Sequence, residues 1–197
     1  MKLFVFLLLG LLTLNLCAQN TSYDTFFSKH PVDINLGMHA YNYTIQTLDN
    51  KEEIGLNSTI AFGLGWRYTF FTIGEFAFST RTGVEGGYWK DDLSNSATFQ
   101  IPITLNLSYG AGSHAGCRSK YGFILGGGIA ENMYSYVRRV KGVSYSQASA
   151  YLSPHVFCGV KMTKDGSDIA YGIYPSLSWQ QCNYFVGLKL VVDVIYQ

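Results

Sequence analysis

Ile54-Gly55-Leu56-Asn57-Ser58-Thr59-Ile60-Ala61-Phe62-Gly63-Leu64-Gly65-Trp66-Arg67-Tyr68-Thr69-Phe70-Phe71 alternates with a period of two along its length. Ile54, Leu56, Ile60, Phe62, Leu64, Trp66, Tyr68 and Phe70 share one parity, and Gly55, Asn57, Thr59, Gly63, Gly65, Arg67 and Thr69 hold the other. Successive side chains of a β-strand point to opposite faces, so the pattern predicts a strand with one large apolar face and one small or polar face. It is longer than the ~9–11 residues that a tilted membrane strand needs.

The rhythm recurs. Segment 75–88 places Phe76, Phe78, Val84 and Tyr88 opposite Glu75, Ser79, Arg81, Gly83 and Glu85. Segment 98–109 sets Phe99, Ile101, Ile103, Leu105, Leu107 and Tyr109 against Thr98, Gln100, Thr104, Asn106 and Ser108. Segment 182–197 sets Tyr184, Val186, Leu188, Leu190, Val192, Val194 and Tyr196 against Asn183, Gly187, Lys189 and Asp193. Weaker alternation at 32–45, 120–131, 148–162 and 168–179 completes about eight strands. Turn-forming residues separate them, among them Leu48-Asp49-Asn50, Lys90-Asp91-Asp92, Gly110-Ala111-Gly112-Ser113 and Lys164-Asp165-Gly166. Segment 132–147 reads as the longest connection and 20–31 as a lead-in. Pro102, Pro154 and Pro175 fall inside proposed strands, where each removes a ladder hydrogen bond, so each marks a bulge or a misplaced boundary.

Composition narrows the class. Charged residues are 14% of the chain, against roughly 25% in soluble domains. Aromatics reach 16%, with 21 Gly. The net charge of +1 implies no broad attraction to nucleic acid. After the N-terminus no stretch approaches the ~20 apolar residues of a membrane helix, and a mean hydropathy of +0.10 suits a barrel in which alternate residues face lipid. Lys2, the apolar run Leu3 to Leu14 and the small Ala18 read as a signal peptide over 1–18, which leaves 19–197 as one barrel domain. Lipidation of Cys17 is the competing reading, disfavoured by the bulky Leu16. Cys117, Cys158 and Cys182 remain, an odd number, and read as unpaired.

Alternation alone does not say which face is inside. In a soluble lipocalin-like barrel the apolar face would point inward. Here the other face is rich in Gly, Ser and Thr, poor material for a wet surface and well suited to a narrow interior. The apolar series often begins or ends on an aromatic, as at Trp66, Tyr68, Tyr88, Tyr109, Tyr121, Trp179 and Tyr196, the pattern of interfacial girdles. The expected fold is therefore an all-β, antiparallel, up-and-down transmembrane barrel. Its polar parity then carries Arg67, Glu75, Arg81, Glu85, Lys161, Lys189 and Asp193 into the lumen. Buried charges persist only when paired. A plug of salt bridges is the expected arrangement, because an eight-stranded lumen is too narrow for an open pore.

Residues Ala18-Gln19, Gln100-Ile101-Pro102-Ile103-Thr104-Leu105, Tyr121-Gly122-Phe123-Ile124-Leu125-Gly126-Gly127-Gly128 and the last alternating strand resemble the PorT-like outer-membrane barrels of Bacteroidota. The resemblance implies residence in the outer membrane of a Gram-negative bacterium and brings no catalytic residues.

Little in the chain points to chemistry. His30, His39, His114 and His155 lack metal-ligand spacing. Gly126-Gly127-Gly128 lies in a strand with no phosphate-loop Lys after it. Ser153 and His155 share a face and are the only candidate for a membrane-embedded lipid-modifying enzyme. Arg138, Arg139 and Lys141 are basic residues in the longest connection that could meet lipopolysaccharide phosphates. The expected function is a non-enzymatic structural, assembly or surface-interaction barrel without cofactor or metal, with the enzyme and a narrow channel as alternatives. Its expected partners are outer-membrane lipid, lipopolysaccharide and the barrel-assembly machinery, with no nucleic acid. With a periplasmic N-terminus, the connections near 46–53, 89–97, 132–147 and 180–182 lie outside, and those near 72–74, 110–119 and 163–167 face the periplasm.

Overall fold

The computed structural model describes residues 32–46, 52–92, 94–114, 117–140, 143–164, 169–181 and 183–194. The proposed signal peptide, Lys141, Cys182 and Tyr196 lie outside these. Eight strands follow in chain order: β1 Val32–Gln46, β2 Glu52–Ile73, β3 Phe76–Lys90, β4 Ser94–Gly110, β5 Tyr121–Val140, β6 Val143–Thr163, β7 Ile169–Gln180 and β8 Asn183–Val194. Each pairs antiparallel with its sequence neighbour, and β1 pairs with β8 to close the barrel.

The alternating pattern maps directly onto the wall. Leu36, Phe62, Leu64, Val84, Leu105, Leu125, Val160, Leu188 and Leu190 all point outward, Leu105 with 67% of its surface exposed. A contiguous apolar belt of this size suits acyl chains rather than water. Aromatics edge it at both ends. At one end Phe71 stacks on Phe78, Phe76 lies against Tyr109 and Tyr109 against Phe123. At the other, Tyr88, Trp89, Trp179 and Tyr184 face out.

The prolines are accommodated without change of register. The β3–β4 ladder breaks between Thr82↔Ile103 and Glu85↔Gln100, beside Pro102. The β6–β7 ladder breaks between Phe157↔Ser176 and Val160↔Ile173, beside Pro175. Both resume on the same register, so a missing N–H leaves a local gap and no bulge. The shift that does occur lies between Thr69 and Phe71, on the β2–β3 ladder; around it both Phe70 and Phe71 face outward.

Segment 132–147 is not a long loop. It forms the upper part of a hairpin in which β5 and β6 run for 20 and 21 residues, paired from Tyr121↔Met162 to Val140↔Val143. Sequence reading lost it because the pattern inverts there. The large side chains, Tyr134, Tyr136 and Tyr151, turn inward with Tyr41 and Phe185 to form an aromatic cluster. Outward positions of β6 carry Ala150, Ala148, Ser146 and Ser144.

Candidate functional site: the lumen network and the projecting hairpin

Inward positions of a strand recur every second residue, so Asp33, Asn35 and His39 on β1 enter the lumen together. Arg67 on β2, Arg81 and Glu85 on β3, Lys161 on β6, and Lys189 and Asp193 on β8 are likewise buried there. Arg81 grips Asp33 with two parallel bonds: Nε donates to Oδ2 at 2.8 Å and Nη2 to Oδ1 at 2.6 Å. Its guanidinium also lies over the rings of Phe157 and Tyr174, 5.5 and 5.9 Å from their centroids. Below this pair, Asp193 accepts from Lys161 Nζ at 3.1 Å and from the Tyr174 hydroxyl at 3.2 Å, with Arg67 Nη1 at 4.0 Å. Above it, the Glu85 carboxylate lies between Lys189 Nζ, 2.6 Å from Oε2, and His39 Nε2 at 3.1 Å.

Four buried cations thus face three buried carboxylates among the described residues. A backbone carbonyl meets part of the excess. The β4–β5 connection folds under the barrel, with Ala111 and Ser113 buried and Gly110 and Gly112 at φ of 68° and 66°. These are left-handed angles that glycine adopts freely. The turn aims the Gly112 carbonyl upward, where it accepts from Arg67 Nη2 at 2.7 Å and Lys161 Nζ at 3.0 Å.

Glu75, expected among the lumen charges, does not join them. It sits in the β2–β3 turn, exposed, and accepts from the Ser119 hydroxyl at 2.5 Å. Its parity is inward, but the wall has already turned at Gly74, so parity carries the side chain past the rim. Bonds from the Ser119 hydroxyl and the Tyr109 phenol hold its carboxyl below the usual carboxylate range. Asp33 occupies the role that sequence reading gave to Glu75. The signal was present, since Asp33 and His39 alternate with Val32, Ile34, Leu36 and Met38.

Toward the hairpin end the lumen holds a neutral polar layer. Gln100 Nε2 donates to Asn132 Oδ1 at 2.6 Å, and Asn132 Nδ2 to the Ser153 hydroxyl at 2.7 Å. His155 Nδ1 bonds the Ser178 hydroxyl at 2.7 Å. Ser153 and His155 therefore share a face without bonding each other. A serine nucleophile needs a base within hydrogen-bond reach, itself oriented by a third group. Glu85 is held by Lys189 and His39, so no acid completes such a set. The space left among Asp33, Arg67, Arg81, Ile124, Tyr174 and Asp193 is too small for a water molecule.

Arg138 and Arg139 are exposed near the end of β5. They do not lie in a loop: Arg138 pairs with Ser94 on β4 and Tyr145 on β6. Cys117 and Cys158 are free thiols, Cys158 facing outward.

No protein-family profile and no curated protein matches the sequence. By structure the barrel resembles Ail, the attachment invasion locus protein of Yersinia pestis, with a TM-score of 0.51 and 11% identity over 84% of this chain and 97% of that one. Neisserial surface protein A superimposes with a TM-score of 0.48 and 13% identity over 86% of this chain and 98% of that one. The likeness to Ail extends to fold alone: the chain is a closed, eight-stranded, all-antiparallel β-barrel of the outer-membrane type.

Proposed function

We propose that the chain is a non-enzymatic outer-membrane barrel whose working part is the β5–β6 hairpin, used as a surface-contact element. The observation that carries this reading is the contrast between a filled lumen and a wall that outgrows its lipid belt on one side. On β6 the last large outward apolar residue is Leu152, and the strand continues to Val143. At ~3.3 Å per residue this is roughly 30 Å of strand beyond the belt. β7 and β8, at 12 residues each, stop near it. In this reading residues 1–18 are a cleaved signal, the hairpin faces the exterior, and Arg138, Arg139 and Lys141 meet lipopolysaccharide phosphates. The PorT-like resemblance supports the same residence.

Two measurements test it. Planar-bilayer recordings of the folded chain should give no stepwise conductance, because ion pairs close the lumen; steady openings would favour transport. Flotation with lipopolysaccharide-containing vesicles should retain the chain when added in detergent-free excess. A double Arg138→Ala, Arg139→Ala variant should dissociate at lower salt. An unchanged salt dependence would remove the lipopolysaccharide contact.

A further inference from the structure

The ladders on the two sides of β6 end at different heights. Toward β5, β6 is paired as far as Val143. Toward β7, pairing stops at His155↔Ser178. Residues 143–154 therefore have one hydrogen-bonded edge and, among the described residues, one open edge. Across the short β7–β8 hairpin, β1 is left open in the same way: its ladder to β8 stops at Tyr41↔Phe185, while its ladder to β2 continues to Gln46↔Glu52.

The backbone parity of the open edge can be read. Thr163 donates its N–H to Lys120 O, on the β5 side. Amides alternate between edges along a strand, so even-numbered residues of β6 point theirs toward β7. Pro154, also even, agrees: its missing N–H falls on the β7 side, where the ladder ends, and the β5 ladder runs through Ile129↔Pro154 unbroken. Ser144, Ser146, Ala148, Ala150 and Leu152 thus present their N–H and C=O groups outward along the open edge.

Proteins usually blunt such an edge with charge, proline or a bulge. From Val143 to Ser153 this strand has none of these. Its outward side chains are small, and two polar atoms on its inner face, Gln147 Oε1 and the Tyr151 hydroxyl, are buried without a partner among the described residues. The stretch 132–153 contains Arg138, Arg139 and Lys141 and no acidic residue.

We infer that the open edge of β6, over 144–152, is a docking site that takes an extended acidic polypeptide segment of a partner protein as an added strand. Backbone pairing supplies the register, and the basic residues of the neighbouring β5 strand and turn select acidic side chains. This inference rests on the proposed surface-contact role of the hairpin.

The test uses the full chain folded in lipid nanodiscs. The probe is a synthetic decapeptide alternating threonine and glutamate, with a counterpart N-methylated at every second residue. Both carry the same charge, but the second has lost the donors of one edge. The unmodified peptide should bind, and the N-methylated one should bind at least about tenfold more weakly. Ala148→Pro removes one open-edge donor and leaves the β5 ladder intact, and should weaken binding by about tenfold. Heat-modifiable gel mobility confirms that the variant is folded, and Ser146→Pro serves in its place if it is not. Equal binding of the two peptides, or parent-like binding by the folded proline variant, overturns the inference and leaves simple charge attraction. Lipopolysaccharide flotation run in parallel keeps the readings apart: peptide binding without flotation refutes the lipid contact alone, and flotation without peptide binding refutes the added strand alone.

Discussion

Glu85→Ala probes the interior most directly. Glu85 is 1% exposed and accepts from Lys189 Nζ at 2.6 and 2.8 Å and from His39 Nε2 at 3.1 Å. Truncation removes the acceptor from both donors at once. Lys189 is itself 2% exposed and has no second ion pair among the described residues. Unit charges about 3 Å apart attract by roughly 5 kcal/mol at an effective dielectric constant of ~20. Breaking buried pairs by removing one partner costs about 3–5 kcal/mol, which agrees. The variant should therefore unfold from phospholipid vesicles at a urea concentration about 2 M lower than the parent, for a slope in the usual range. A paired change, Glu85→Leu with Lys189→Met, should recover most of the loss, because apolar side chains of similar volume need no counter-ion. Phe62→Ala calibrates the scale. Phe62 faces outward and is 55% exposed, so lipid can fill the gap, and the change should cost less than the ~3–5 kcal/mol of a core Phe truncation. A Glu85→Ala shift within about 0.5 kcal/mol of the parent would show that water reaches the network.

Three further outcomes follow from named contacts. A methyl group on Gly65 would occupy the position of the Asp33 carboxylate, whereas one on Gly86 meets nothing within 4 Å. Gly65→Ala should destabilise by about 3 kcal/mol through the displaced Asp33–Arg81 pair and Gly86→Ala should be nearly neutral in the same urea titration; comparable effects would sink the assignment. Glu75→Gln tests the turn. A carboxyl held below its unfolded value contributes stability that is present above the unfolded-state pKa and is lost as pH falls through the folded value. The gap between parent and variant should thus close on acidification, and a gap that widens would contradict the bonds to Ser119 and Tyr109. For orientation, Ser146→Cys should react with an impermeant maleimide on intact cells, and Ser119→Cys should not, both in a background without the native cysteines; the reverse pattern inverts the barrel.

The fold was legible because lipid and a narrow lumen impose opposite demands on alternate residues. Leu56 through Phe70 could hardly satisfy both except as a wall strand. Most of the lumen charges were legible for the same reason, as inward residues on strong strands. Asp33 was overlooked because β1 alternates weakly, and Glu75 was misplaced because parity does not reveal where a wall ends. The hairpin was taken for a loop because apolar periodicity disappears once a strand leaves the lipid, although its backbone pairing continues.

The sequence by itself determined strand character, face assignment and the inward placement of charge, since each depends on a residue's parity and its immediate neighbours. Which charges meet was decided by tertiary structure. Arg81 finds Asp33 48 positions away, and Lys189 finds Glu85 across 104. Those meetings depend on the stagger between strands, which is set by every ladder around the barrel together. The same stagger, added to unequal strand lengths, ends the β6–β7 ladder at His155↔Ser178 and leaves the upper edge of β6 open, a feature that no local pattern of residues encodes.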